Sequence, residues 1–438
     1  ALNIWYGVVT EYSVTNMAGK SALGKTTKER ILDAAFSFCN EPRFRSFSMA
    51  DLAAKVGISK AAIYRHYKDK DAVIAAMYER FVETLAECLR SLEAQDDEPG
   101  ISEQTFVGLV QFFAEHSCYI NYMLVNLCDR DHFERRLVAE MTARGVKNLG
   151  GYELALGGDV PVVRDMCQYV RSIYCGVTIF IVIKLREKWI AGSGAAEPTE
   201  TFARSVVRML LGGLKHTVSA GHVLYPDAIS RERLAELDAL CAIGADVPPP
   251  EDRIFTALAN VIVKYKFVGV TVDKIAAELN MAKSSLYEYF DNKNQMIKSL
   301  IERELVMVDT VVTENVSAAR NFSEYMYILM RTRLSYYMLR PSIIPVSGWL
   351  LQTSTDDVFK AEWDPSNPWV KKLPDPLVLF GTGMKMSPRH FVSWLSSLPV
   401  ALIVQWTNRA LDQNGLGDAL KILFDYMEYG IDKEAKEV

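Results

Sequence analysis

Residues 60–70 read KAAIYRHYKDK and residues 283–293 read KSSLYEYFDNK. Each stretch sets a Lys, two small side chains, an aliphatic and a Tyr, with a second Lys six residues after the Tyr. The ammonium groups of Lys60, Lys70, Lys283 and Lys293 and the phenols of Tyr64 and Tyr287 donate hydrogen bonds to anionic or carbonyl oxygens. Ser284 and Ser285 bond in either direction, whereas Ala61 and Ala62 offer only methyl surface. This is the chemistry of recognition rather than of bond making. No nucleophile elbow, metal triad or dinucleotide fingerprint accompanies it, so no catalytic or metal-ligating residue and no cofactor is assigned. His66 is better suited to packing or to a bond with an anion than to proton transfer. The GTG at 381–383 reads as an ordinary loop, because no strand and helix flank it as a phosphate cradle requires.

The recurrence extends well beyond these stretches. Laying residues 28–83 on 251–306 without a gap gives 12 identities in 56 positions, among them Arg30/Arg253, Ala53/Ala276, Lys60/Lys283, Tyr64/Tyr287, Lys70/Lys293 and Arg80/Arg303. One recurrence at a spacing of 223 residues indicates a duplicated unit, not a solenoid of short repeats. Between the copies, GADVPPPED at 244–252 marks the boundary, since three consecutive prolines cannot continue a helix.

Helical signals position these residues. TTKERILDAAFSF opens with Thr26 and Glu29 at capping-box spacing, and SMADLAAKV repeats the device with Ser48 and Asp51. In SMADLAAKVGISKAAIYRHY, Ala53 is small where two helices must cross, and Gly57 suits a turn of positive φ. Ser59 is placed to cap the helix that begins at Lys60. Asn280 replaces Gly57 in the second copy, the next most tolerant choice for a left-handed turn. No alternating strand patterns joined by hairpin turns are found, and the expected fold class is all-α.

LAAKVGISKAAIYRHYKDKDAVIAAM resembles the DNA-binding domain of the TetR family of transcriptional regulators. IAAELNMAKSSLYEYFDNKNQMIKSL resembles it too, departing at Asn280 and at Tyr289, where His is usual. The resemblance implies a tandem form with two units, each a helix-turn-helix domain followed by a helical ligand-binding and dimerisation domain. The expected domains are 25–85, 86–246, 247–305 and 306–438, with 1–24 an extension outside the fold. It further implies that Lys60, Ala61 and Ala62 in one head, and Lys283, Ser284 and Ser285 in the other, meet base edges in the major groove. Tyr64, Arg65 and His66, and their counterparts Tyr287 and Tyr289, reach phosphate or base. Lys70 and Lys293 anchor phosphate at the start of the next helix. Ser48 and Thr271 touch the opposite backbone, and Ser59 joins the DNA-facing set.

The heads differ in charge. Residues 17–85 carry 12 Lys and Arg against 8 Asp and Glu, a balance of +4, whereas 251–305 carry 8 against 8. Glu288 stands where the first copy has Arg65, so the second head is expected to bind DNA more weakly. The expected partner is an operator with two dissimilar half-sites. The alternative is an interaction protein or constitutive regulator whose second helix-turn-helix has degenerated.

Residues 86–243 and 306–438 carry long apolar helical segments, which the resemblance assigns to ligand binding and to pairing of the units. Pairing within one chain makes a pseudo-dimer the economical arrangement, and a homodimer of chains stays open as a second. Aromatic candidates for contact with an unknown small-molecule effector are Phe112, His116, Tyr119 and Tyr122 in the first unit. In the second they are Tyr325, Trp349, Trp394 and Trp406.

Composition sets the outer limits. The 438 residues are 50% hydrophobic and 24% charged, with a net charge of −5, so a nucleic-acid surface must be local. No apolar run reaches the length of a membrane span, since GVTIFIVIKL at 176–185 is broken by Lys184, and no membrane partner is expected. The N-terminus lacks the pattern of a secretory signal. The seven cysteines form no Cys-x-x-Cys pair, and they read as buried free thiols in a reducing cytoplasm.

Overall fold

The computed structural model describes residues 25–40, 47–94, 103–127, 133–147, 163–193, 198–217, 229–244, 252–265, 270–288, 290, 293–346, 371, 377–378, 385–408 and 415–431. The 1–24 extension, the prolines at 248–250, the GTG loop, Tyr289 and Trp349 lie outside them.

The first unit opens with α1 (Thr27–Ser37), α2 (Met49–Val56), α3 (Lys60–Tyr64) and α4 (Lys70–Glu93). Both expected capping boxes form, Thr26 with Glu29 and Ser48 with Asp51. Ile31, Leu32, Ala35 and Phe36 fall on one face of α1 and are buried against α2 and α4. Helices α5 (Glu103–Glu115), α6 (Ser117–Leu127), α7 (Phe133–Ala143), α8 (Val163–Ser193) and α9 (Thr199–Thr217) build the body behind these.

After α10 (Arg231–Leu240) the pattern returns as α11 (Arg253–Tyr265), α12 (Val272–Glu278), α13 (Lys283–Tyr287) and α14 (Lys293–Val316). Helices α4 and α14 share a length of 24 residues and begin 223 residues apart. Each runs without a break through the position at which the sequence placed the end of the helix-turn-helix domain. The Asp252 carboxylate caps α11 by accepting from the backbone N–H groups of Ile254 and Phe255. Helices α15 (Phe322–Leu339), α16 (Pro388–Asn408) and α17 (Leu416–Tyr429) complete the second unit. One two-residue antiparallel ladder, Leu377–Val378 with Lys385–Met386, accompanies them, a small departure from the expectation of no strand pairing.

Helix α10 falls within the stretch that the sequence assigned to the first unit, but it packs on the second. Arg233 donates to both carboxylate oxygens of Glu324, at 3.0 and 2.9 Å. Asp238 accepts from Tyr327 Oη at 2.6 Å and Arg331 Nε at 3.0 Å, and pairs with Lys421 at 3.0 Å.

The two units meet through the long helices α8 and α9 of the first and α16 and α17 of the second. Trp394 Nε1 donates to Thr178 Oγ1 at 3.2 Å, and Tyr426 Oη donates to the Cys167 carbonyl at 3.2 Å. Gly213 in α9 and Gly430 at the end of α17 share one unusual backbone conformation, φ 69 with ψ 178 and φ 83 with ψ 169. A Cβ on Gly213 would lie 2.5 Å from the Glu428 carbonyl oxygen, and one on Gly430 would collide with the Leu211 carbonyl oxygen. Each glycine thus faces the carbonyl two residues before the other. The backbones touch there, and only glycine fits.

The sequence expectation about membrane spans needs correcting. Met166–Arg186, 21 residues within α8, is long and apolar enough to cross a membrane. Helices α16 and α17 cover it instead, and Tyr174, Thr178 and Val182 are fully buried there. Arg171, Lys184 and Arg186 do not lower its mean hydropathy far enough. Among the described residues six cysteines are free. Cys39, Cys175 and Cys241 are buried, and Cys88, Cys118 and Cys167 only partly so. Burial pushes the Cys175 thiol up to about 12, which leaves it inert at neutral pH.

Candidate nucleic-acid interface

Each head is built from a turn that only certain residues can make. Gly57 ends α2 at φ 75, and its N–H bonds back to the carbonyls of Ala53 and Ala54. Asn280 makes the matching turn at φ 53 in the second head, as its substitution for Gly57 suggests. Arg30 Nη2 then ties α1 to the end of α2 through the Val56 carbonyl at 2.9 Å. Leu52, Val56 and Ile63 are buried between the helices, and so are Ile275, Leu279 and Leu286 in the second head. The tips of α3 and α13 therefore project outward because the opposite faces are held in the core.

The side chains singled out by the sequence sit largely where that geometry sends them. Lys60, Ala61, Tyr64, Arg65 and His66 are exposed along α3 and the residues after it, and Ala62 is half-buried. Lys283, Ser284 and Tyr287 are exposed along α13, with Ser285 half-buried. The two tyrosines match closely, at 45% and 46% exposure, so the large rings at 64 and 287 are not core residues. Lys60 Nζ lies 5.9 Å from the Tyr64 ring centroid. Lys70 is half-buried, its Nζ 4.6 Å from the Phe47 ring centroid, at the first turn of α4. The Asp69 carboxylate caps that helix by accepting from Ala72 N–H at 2.8 Å. Lys293 is the first residue of α14.

The hydroxyls hold helix starts. Ser48 Oγ accepts from Asp51 N–H and donates to the Asp51 carboxylate at 2.7 Å. Ser59 Oγ accepts from Ala62 N–H at 3.2 Å, and Thr271 Oγ1 from Lys274 N–H at 3.3 Å. All three are helix caps first. At the corresponding start of α13, Ala282 provides no side-chain cap, so the second recognition helix is less firmly pinned.

The heads also differ in how their lysines are held. Lys283 Nζ pairs with Asp273 at 2.8 Å. The hydrogen bond and charge of Asp273 raise the Lys283 ammonium above its ordinary range, and the same contact lowers the Asp273 carboxyl. The first head has Ala50 at the place of Asp273. Laying the two copies on each other reveals this exchange, which reading each motif by itself does not.

Behind the first head, the aromatic candidates form one cluster. The Tyr119 ring lies 5.0 Å from Phe36 of α1, 5.5 Å from Phe81 of α4 and 5.6 Å from His116. Tyr122 lies 5.4 Å from Phe36, and Phe112 stacks on His116 at 4.8 Å. Arg80 Nε donates to Tyr119 Oη at 3.3 Å and also bonds to Asp33 of α1. This polar link, which the sequence reading missed, joins the body of the unit to its helix-turn-helix.

In the second unit, Tyr325 joins a chain of rings through Phe322 and Phe391 to Trp394. Trp394 and Trp406 lie between the units, bonded to Thr178 and 6.2 Å from the Tyr169 ring respectively. The sequence reading also missed a buried polar group. Arg333 pairs with Asp309 at 2.7 Å, Tyr336 Oη donates to Glu304 at 3.0 Å, and Arg340 lies 3.7 Å from Glu304. The first unit has Phe81 and Ala86 at the positions of Glu304 and Asp309. The two interiors are thus chemically unlike.

Two exposed, basic or hydroxyl-bearing recognition helices on all-α scaffolds define a helix-turn-helix DNA-binding protein. Comparison with known proteins narrows the class. The family model for bacterial regulatory proteins of the tetR family matches twice, at residues 31–77 and 254–300. Two segments of the chain thus match the helix-turn-helix domain of tetR-family regulators, in tandem. The chain is similar to the uncharacterized HTH-type transcriptional regulator YxbF of Bacillus subtilis (strain 168), with 21% identity over 282 residues, 64% of this chain and 67% of that protein. A second relative, the uncharacterized HTH-type transcriptional regulator YvaF of the same organism, is 36% identical over 64 residues. That match spans 15% of this chain and a third of the relative's length, 33%.

Proposed function

We propose that this regulator is a ligand-responsive repressor that binds duplex DNA through two non-identical heads held in one chain as a pseudo-dimer. The observation that carries the reading is the presence of two exposed recognition helices in a single chain, bearing Lys-Ala-Ala at one tip and Lys-Ser-Ser at the other. Packing of α8 and α9 against α16 and α17 supports pairing within the chain, because linkage makes the association local. Lys60, Ala61, Ala62, Lys283, Ser284 and Ser285 read bases, Lys70 and Lys293 serve phosphate, and Tyr64, Arg65, His66, Tyr287 and Tyr289 reach phosphate or base. Ser48, Ser59 and Thr271 contribute backbone contacts from capped helix starts. The site of action is duplex DNA in the cytoplasm.

The effector is a small apolar or aromatic molecule. The aromatic cluster of Phe112, His116, Tyr119 and Tyr122 favours this, because it touches Phe36 of α1 and so joins a binding region to a head. A ligand that separates Tyr119 from Phe36 and Arg80 would favour a state whose heads no longer match successive major grooves, about 34–36 Å apart. In the second unit Tyr325 and its ring neighbours are the counterpart.

A second reading, in which only the first head binds DNA, is favoured by the uncapped start of α13 and the paired Lys283. Selection of bound duplexes from a random pool separates the two. Two dissimilar half-sites covered by one chain support the repressor reading. A palindrome bound by two chains through their first heads refutes it.

A further inference from the structure

The second head contains an acid where the first has none, and what that acid holds is a residue assigned above to base contact. Asp273 occupies the second position of α12, two residues after the cap Thr271. Its carboxylate accepts from Lys283 Nζ at 2.8 Å, with the side chains 66% and 47% exposed. In the first head the acid lies one position later. There Asp51 turns back on its own cap, accepting from Ser48 N–H and Oγ at 2.7 Å each. The second head has Lys274 at that position and Asp273 in place of Ala50. A one-residue shift of the carboxylate therefore moves it from closing a helix to occupying the recognition lysine.

Resting on the DNA-binding reading above, we propose that Asp273 is a positioning residue that sets the second head's selectivity by holding Lys283 as an internal stand-in for a DNA acceptor. The physical reasoning concerns competition. An exposed ammonium–carboxylate pair is weak in water, but it takes one of the three Lys283 donors and sets the direction of the ammonium, so a DNA acceptor must compete with it. A single phosphate oxygen replaces the carboxylate with a similar partner and leaves Asp273 facing the anionic backbone. Guanine O6 and N7 together offer two acceptors to one ammonium, a better exchange. The latch therefore penalises nonspecific contact more than a matched base. Lys60, with Ala50 at the corresponding place, carries no such penalty. The asymmetry lies in one carboxylate as well as in net charge.

The test uses the full chain and a mixed-sequence duplex of about 30 base pairs, three helical turns. Binding is measured for wild type, Asp273→Asn, Lys283→Met and the double variant. Both side chains are exposed, so all four proteins are expected to melt alike. Asp273→Asn should bind this duplex about two- to five-fold more tightly, the range of an exposed ion pair, and gain less on a duplex selected from the random pool; an equal gain on both would overturn the selectivity role. That gain should vanish in the Lys283→Met background, because the acid acts through the lysine. The reciprocal Ala50→Asp should weaken binding by a similar factor by latching Lys60. An equal gain from Asp273→Asn with and without Lys283 would mean that Asp273 merely repels DNA, and would overturn the proposal. No gain in either background would overturn it as well. Absence of binding by the wild-type chain would instead defeat the DNA-binding reading, and this inference with it.

Discussion

Replacing Gly430 by Ala tests the joint between the two units most directly. Gly430 sits at φ 83 and ψ 169, a region open essentially to glycine alone, and an L-residue held there costs about 1–3 kcal/mol. The added Cβ would also collide with the Leu211 carbonyl and lie 2.8 Å from the Gly212 carbonyl carbon. Relieving that collision requires α17 to shift against α9, an overpacking effect of about 1–3 kcal/mol. It also threatens the bond from Ile431 N–H to the Leu210 carbonyl, 2.9 Å long. The sum is about 2–6 kcal/mol. Urea titration should report this loss as a lower unfolding free energy and a lower midpoint with an unchanged slope. Trp394 and Trp406 lie at the same joint, so intrinsic fluorescence reports the transition. Gly57→Ala is the control. It too has a positive φ, 75, but nothing lies within 4 Å of its added Cβ, so the cost should be about 1–2 kcal/mol of backbone strain. If Gly430→Ala unfolds within about 0.5 kcal/mol of wild type, the glycine contact is not a close joint and the reasoning fails.

Three further outcomes are expected. Lys70→Ala should weaken binding to all duplexes alike and flatten the salt dependence by about one unit of slope, whereas Lys60→Ala should also relax preference at one base position; equal loss of specificity from both would contradict the roles. Asp238 loses hydration on burial, but its bonds to Tyr327, Lys421 and Arg331 outweigh that and lower its pKa. Its contribution to stability is therefore present above the ordinary carboxylate pKa of about 3.9 and lost as pH falls through the depressed folded value. Acid unfolding of Asp238→Asn should consequently show a shallower pH dependence in that window, and an unchanged profile would refute the assignment. Trp394→Phe should destabilise the chain by about 1–3 kcal/mol, because it leaves the buried Thr178 hydroxyl without its donor. A urea midpoint equal to that of wild type would show that this bond does not hold the units together.

Much of the local structure was legible in the chain itself. Ser48 and Asp51 lie three residues apart, so each can reach the other's N–H whatever the rest of the protein does, and the capping box forms as expected. Gly57 and Asn280 mark turns that most other residues would strain, and both adopt positive φ. Repetition at one fixed spacing was enough to establish two heads, since it needs no knowledge of contacts. Tertiary structure decided everything that depends on distant partners. Helix α10 lies on the second unit because Arg233 and Asp238 find their counter-charges on α15 and α17, some ninety residues and more away, and nothing local in 231–240 indicates this. The apolar run in α8 is equally consistent with a membrane and with a core until Trp394 is seen bonded to Thr178. Asp273 and Lys283 stand ten residues apart, yet whether they meet depends on the angle between α12 and α13, which burial of Ile275, Leu279 and Leu286 sets. Short-range hydrogen bonding and backbone sterics are written in neighbouring residues, whereas packing is a property of surfaces that the sequence brings together only after folding.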